Sequence, residues 1–227
     1  MENNKNKIYL INIFIIDWDD TLYPTTWVNK NSIDVSKTNL LQEYRVYFLE
    51  LDKTISTLLE SLNQIGDIWI VTNANLNWIK SCLESLELTK KTIITNKIRI
   101  VSARDLYSIN SSSPTEWKIL TFQDIMEDII KKISKRIKPN TYINIISIGD
   151  AMYEYIALIN LDNFIKTYTN KFLPLTQSND QLNYFLKNIK FIEKPDFDCV
   201  IDQMNVLEKN KNDIVNKLEF IDLKFSP

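Results

Sequence analysis

The chain has 227 residues, of which 44% are hydrophobic and 25% charged, and its net charge is −2. Those proportions suit one ordinary globular α/β domain and give no electrostatic ground for binding nucleic acid or a membrane surface. There is no histidine and there are only two glycines, which excludes a Ser-His-Asp triad, His-based zinc sites and a Gly-rich nucleotide loop.

Taken in order, residues 1–7 are polar, and the apolar run 8–16 is too short to span a membrane. The run leads into Asp17, not into a small-residue cleavage site, so it lacks the shape of a signal peptide. Cys82 and Cys199 are isolated, as in a reducing compartment, and neither is followed six positions later by the arginine of a thiolate phosphatase loop. An intracellular, soluble protein with no membrane segment is expected.

The run 8–16 predicts a strand buried on both faces, ending abruptly in Asp17, Trp18, Asp19 and Asp20. Side chains alternate along a strand, so Asp17 and Asp19 are expected on one side and Trp18 on the other. Two carboxylates so placed repel unless a cation or a reacting group sits between them. The alternative is a plain polar turn, with Asp20 or Thr21 capping the next segment.

Residues 23–38, with Pro24, read as an irregular flap. Leu41, Tyr44, Phe48, Leu51, Ile55, Leu58 and Leu62 then recur every three or four positions, predicting a long amphipathic helix closed by Gly66 in a left-handed conformation. A second buried strand over 68–71 ends in Thr72 and Asn73, with a helix over 75–86. A third strand over 98–101 ends in Ser102, Ala103 and Arg104. Ser113, Pro114, Thr115 and Glu116 form a capping box that opens a helix carrying Trp117 and Lys118 in its first turn and running towards 137. A fourth strand over 143–148 ends in Gly149 and Asp150, and a helix over 151–160 places Asp150 and Glu154 one turn apart. Further strands are expected at 164–168 and 189–192 with a helix near 180–186 between them, then a helix over 197–210 and an edge strand at 218–223.

Strand, polar terminus, helix is the repeating unit of a parallel sheet, and in such a sheet the carboxyl ends of the strands line one edge, where ligands bind. The polar groups that end the four strands are therefore expected in one crevice.

These motifs resemble those of the haloacid dehalogenase-like superfamily of aspartate-nucleophile phosphohydrolases. The first signature, an apolar strand followed by D-x-D-x-T, stands as Asp17 to Thr21; the second, a strand ending in Ser or Thr, as Thr72; the third, a lysine near a helix start, as Lys118; the fourth as Gly149-Asp150, with Glu154 in place of the last aspartate. The likeness covers about residues 8–160, and the motif wording is similar to that of a little-characterised subgroup from eukaryotic microbes, which names no substrate. It implies a three-layer α/β/α Rossmann-like fold with a central, mostly parallel sheet, a single domain over 1–227, and residues 161–227 completing the sheet. The intervals between motifs leave no room for a separate cap domain, unless a partner subunit or the stretch 164–186 covers the site.

The activity implied is that of a Mg²⁺-dependent phosphatase. Asp17 would attack phosphorus to give an aspartyl-phosphate, and Asp19 would act as acid and then base. Thr72, the N–H of Asn73 and Lys118 would hold the phosphoryl oxygens, with Mg²⁺ bound by Asp17, the Asp19 carbonyl and Asp150. Thr21, Arg104 and Glu154 are further candidates. Glu154 would reach the metal through water, pair with Lys118 or face solvent, and Arg104 would contact substrate or form a surface ion pair. The substrate would be a phosphoprotein or another phosphomonoester, small molecules included; the oligomeric state is open. The competing readings are a phosphotransferase and a catalytically inactive binding protein on the same fold.

Overall fold

The computed structural model of the chain describes residues 8–35, 42–133, 140–172 and 182–226, leaving aside the side chains of 170–172. Its isoleucine-rich runs form six strands: β1 (Tyr9–Ile16), β2 (Asp67–Thr72), β3 (Arg99–Ser102), β4 (Thr141–Gly149), β5 (Asn183–Lys190) and β6 (Ile221–Lys224). They pair in the order β3-β2-β1-β4-β5-β6, every pair parallel. The described helices are α1 (Thr25–Lys30), α2 (Gln42–Asn63), α3 (Leu76–Leu83), α4 (Glu87–Thr95), α5 (Ala103–Tyr107), α6 (Pro114–Ile133), α7 (Met152–Phe172) and α8 (Phe197–Asn216).

Because side chains alternate, the central strands are apolar on both faces. Phe14, Ile16, Ile146, Ile148 and Ile189 pack under α2, α3, α4 and α8, whereas Ile13, Ile15, Ile143 and Ile145 pack under α6 and α7. The result is a three-layer α/β/α Rossmann-like fold, and no separate cap is found among the described residues. Strand order reverses between β1 and β4, and a crevice opens outside the carboxyl ends of strands at such a reversal. Register aligns Ile16 with Ile148, and the Asp17 N–H donates to the Ile148 carbonyl at 2.9 Å. Asp17 and Asp150 therefore leave neighbouring strands at the same level. Among the described residues no helix is long and apolar enough to cross a membrane.

At the other end of the strands, buried polar side chains hold carbonyls at the ends of α2 and α8. Asn12 Nδ2 donates to Ile65 O at 2.7 Å, and Asn144 Nδ2 to Asn12 Oδ1 at 2.7 Å and Val215 O at 2.8 Å. Lys187 Nζ donates to Ile214 O at 2.6 Å and Lys217 O at 2.5 Å. These carbonyls have no partner within their helices, so the contacts satisfy groups that burial would otherwise strand.

Several elements differ from the sequence reading. Gly66 is not left-handed, since no described glycine has a positive φ. Glycine is needed there for space: a Cβ would lie 2.5 Å from the Asn12 carbonyl oxygen and 2.8 Å from Phe14. Residues 164–168 are helix, not strand, because Leu158, Leu161, Ile165 and Tyr168 follow a three-to-four spacing and bury one stripe of α7 on the sheet. The expected helix near 180–186 is instead the start of β5 from Asn183 on, while 180 and 181 lie outside the described residues. That strand begins well before 189 and ends at Lys190. The flap contains the short helix α1, the region 75–86 holds α3 and then leads into α4, and α5 follows β3 directly. The expected end of α6 towards 137, and residues 36–38 of the flap, also lie outside the described residues.

Candidate active site

The β1 strand gives way after Ile16 to a tight turn whose centre is the Trp18 carbonyl. That oxygen accepts from Leu22 N at 3.0 Å and Tyr23 N at 2.9 Å, and Asp20 N–H donates to Tyr23 O at 2.7 Å. Asp20 adopts φ 57°, a left-handed conformation that aspartate tolerates better than most residues. Its carboxylate accepts from Thr26 N at 2.7 Å and Thr26 Oγ1 at 2.5 Å, which caps α1 and explains why the flap is helical there. Trp18, Leu22 and Tyr23 are wholly buried, and the Trp18 and Tyr23 rings stack at 5.8 Å. This apolar plug fixes the turn so that Asp17 and Asp19 are presented above it.

Asp17 lies beside Lys118 from α6 and Glu154 from α7, all three buried. Lys118 Nζ is 2.5 Å from Asp17 Oδ1 and 2.8 Å from Glu154 Oε1, and donates to the Val71 carbonyl at 2.6 Å. Of the alternatives for Glu154, the pair with Lys118 is realised, and its Oε2 is buried without a hydrogen-bond partner. Gly149 makes room for it, because a Cβ at that position would lie 2.4 Å from Glu154 Cγ.

Asp19 accepts three side-chain hydrogen bonds. Thr25 Oγ1 and Trp78 Nε1 donate to Oδ1 at 2.7 and 2.8 Å, and Thr72 Oγ1 donates to Oδ2 at 2.9 Å. Thr72 Oγ1 also accepts from Ala74 N at 2.8 Å. Asn73 Nδ2 donates to Pro114 O at 3.2 Å, which ties the end of β2 to the start of α6. Thr21 is buried, and its Oγ1 accepts from Asp150 N at 3.1 Å, joining the first motif to the fourth. Arg104 is exposed on α5 and is not part of this cluster. Of the expected capping box, Ser113 Oγ accepts from Glu116 N at 3.4 Å, while the Glu116 carboxylate turns to Ser111.

The site is short of positive charge. Burial raises the Asp17 carboxyl pKa well above the usual range, with Lys118 opposing and Glu154, Asp19 and Asp150 adding to the rise. Burial pushes Asp150 up to about 7, Glu154 and Asp20 add to this, and Lys190 opposes it. Burial alone would lower the Lys118 pKa, but Asp17 and Glu154 more than offset it, so the net shift is upward and the side chain stays an ammonium. The carboxylates and main-chain carbonyls at this edge offer oxygen donors, the type that a hard divalent cation takes. Among the described residues no three acidic or thiol side chains converge closely enough to hold an ion. The expected set needs only two, Asp17 and Asp150, with the main-chain oxygen of Asp19.

The sequence reading missed three contributors. Thr25 and Trp78 reach Asp19 only through the turn and the α3 geometry. Lys190 donates to the Asp150 carbonyl and pairs with Glu193 at 2.9 Å. It ends β5, so the rule that strand ends line the crevice would have found it had that strand been bounded correctly.

Comparison of the chain with protein-family models, with curated proteins and with solved structures gives no match.

Proposed function

We propose that the chain is a Mg²⁺-dependent phosphohydrolase that works through an aspartyl-phosphate, as its resemblance to the haloacid dehalogenase-like superfamily suggests. One observation carries this reading: Asp17, Lys118 and Glu154 form a buried cluster beside Asp150 where the strand order reverses. Nothing in a merely structural role calls for so many carboxylates at that edge, since burying them is unfavourable.

An Asp17 carboxylate oxygen attacks phosphorus and the ester P–O bond breaks. Asp19 gives its proton to the departing alkoxide, then takes one from the water that attacks the aspartyl-phosphate, releasing phosphate and Asp17. Thr25 and Trp78 hold the Asp19 carboxyl for this work. The Thr72 hydroxyl and the Lys118 ammonium, which without substrate donate to Asp19 and to Asp17, Glu154 and the Val71 carbonyl, each turn a donor to the phosphoryl oxygens beside the Asn73 N–H and offset their charge. Asp17, the Asp19 main-chain carbonyl and Asp150 would hold Mg²⁺, which would supply further charge neutralisation at phosphorus.

The substrate we infer is a phosphoprotein or another phosphomonoester. No separate cap is found among the described residues. Of the stretch 164–186, residues 173–181 lie outside the described residues, while 164–172, which end α7, and 183–186, which begin β5, lie towards the amino-terminal ends of the strands, as the parallel order requires. They are badly placed to cover the crevice. The test is hydrolysis of an aryl phosphate by the purified chain: phosphate release that requires Mg²⁺ and stops on chelation is expected. No release with or without the ion would contradict the reading and favour the inactive binding protein. Transfer to an added alcohol instead of water would mark a phosphotransferase.

A further inference from the structure

Among the described residues no strand pairs with the outer side of β3 or of β6, and the grooves beside these two edges differ in lining. Beside β3, a groove of about 400 Å³ is lined by Asp124, Glu127 and Asp128, with Lys131 the one cation among its lining residues. Beside β6, a groove of about 530 Å³ between that strand and α8 is lined mainly by apolar side chains, including Leu207, Ile214, Leu223 and Phe225. Leu223 is 44% exposed and neighbouring Phe220 52% exposed.

We infer that β6 pairs with β6 of a second copy, antiparallel, about a two-fold axis through Leu223. The Phe225 N–H donates to the Lys190 carbonyl of β5 at 2.9 Å. Main-chain groups alternate sides along a strand, so those of Ile221, Leu223 and Phe225 face β5 and those of Asp222 and Lys224 face outward. With Leu223 opposite its own copy, Asp222 and Lys224 form two hydrogen-bonded pairs across the axis, each joining opposite charges. Leu223 meets Leu223 in the intervening non-hydrogen-bonded pair, where side chains approach more closely. Ile221 falls opposite Phe225, which makes one apolar stripe on the α8 face of the joined sheet. A shift of two residues either way sets Asp222 against Asp222 or Lys224 against Lys224, so the charges select the Leu223-centred register. An edge that presents unpaired main-chain groups beside an apolar groove is a template for such pairing.

The test is sedimentation equilibrium on the wild-type chain and two variants at Lys224, whose side chain is exposed, together with disulfide trapping. The wild type is expected to be a dimer at micromolar concentration. Lys224→Asp sets carboxylate against carboxylate twice and should weaken the dimer about tenfold, whereas Lys224→Arg should not. Leu223→Cys in a Cys199→Ser background should oxidise to a covalent dimer. Circular dichroism confirms that each variant is folded. A wild-type monomer, a dimer indifferent to Lys224→Asp, or a Leu223→Cys chain that does not cross-link would each overturn the inference, and a monomer would leave the groove to another ligand.

Discussion

Replacing Asp17 by Asn is expected to lower kcat for aryl-phosphate hydrolysis by about 10⁴-fold or more, the loss typical of removing a nucleophile, while the protein stays folded. The amide has nearly the shape of the carboxylate but cannot form the acyl phosphate. Stability should change little, for two opposing reasons. Lys118 loses its nearer partner but keeps Glu154 at 2.8 Å. In return, a carboxyl whose charged form is disfavoured by burial and three neighbouring acids is removed. Steady-state rates and urea denaturation on the same preparation separate the two effects. Activity within a few-fold of wild type would remove Asp17 from the mechanism.

The second large effect is on stability. Lys118→Met leaves Asp17 and Glu154 buried without the ammonium that faces both, and also leaves the Val71 carbonyl without its 2.6 Å donor. Breaking a buried pair by removing one partner costs about 3–5 kcal/mol, and here one cation serves two anions, so the upper end is expected. Urea denaturation measures it. Mg²⁺ should stabilise the variant more than the wild type, because a cation that binds only the folded state replaces part of the missing charge. A loss below about 1 kcal/mol, the range of an exposed ion pair, would show that the three groups do not act as one buried cluster.

The parallel sheet and the crevice were legible because their signals are local. An apolar run such as 8–16 or 143–148, ended by a turn or polar signal, is too short for a buried helix and reads as a buried strand, and Asp17 and Thr72 follow such a run directly, with Asp150 one residue further on after Gly149. Lys118 was legible for a similar reason, since Pro114 marks the helix start and so fixes the lysine in the first turn. The second half of the chain was harder because its elements are mixed in character. Around Phe164 and Ile165, α7 has short apolar stretches that mimic a strand, and only the wider spacing from Leu158 to Tyr168 reveals the helix. Strand β5 carries Lys187 and Asn188, buried polar residues that look misplaced in a strand until the carbonyls and Asp222 they serve are seen. Gly66 was read through backbone conformation, its commoner role, when the constraint was the close approach of Asn12. Contacts such as Trp78 to Asp19 join residues far apart in sequence and depend on how α3 docks, which no local pattern encodes.

The central claim is that Asp17 becomes covalently phosphorylated. The most direct measurement is to incubate the protein with Mg²⁺ and a small phosphoryl donor, quench, reduce with borohydride and map the chain by mass spectrometry. An acyl phosphate on an aspartate is reduced to homoserine, so the account predicts homoserine at position 17 and at no other aspartate. Turnover of the donor with position 17 still aspartate after reduction, or homoserine at Asp19 or Asp150 instead, would contradict it.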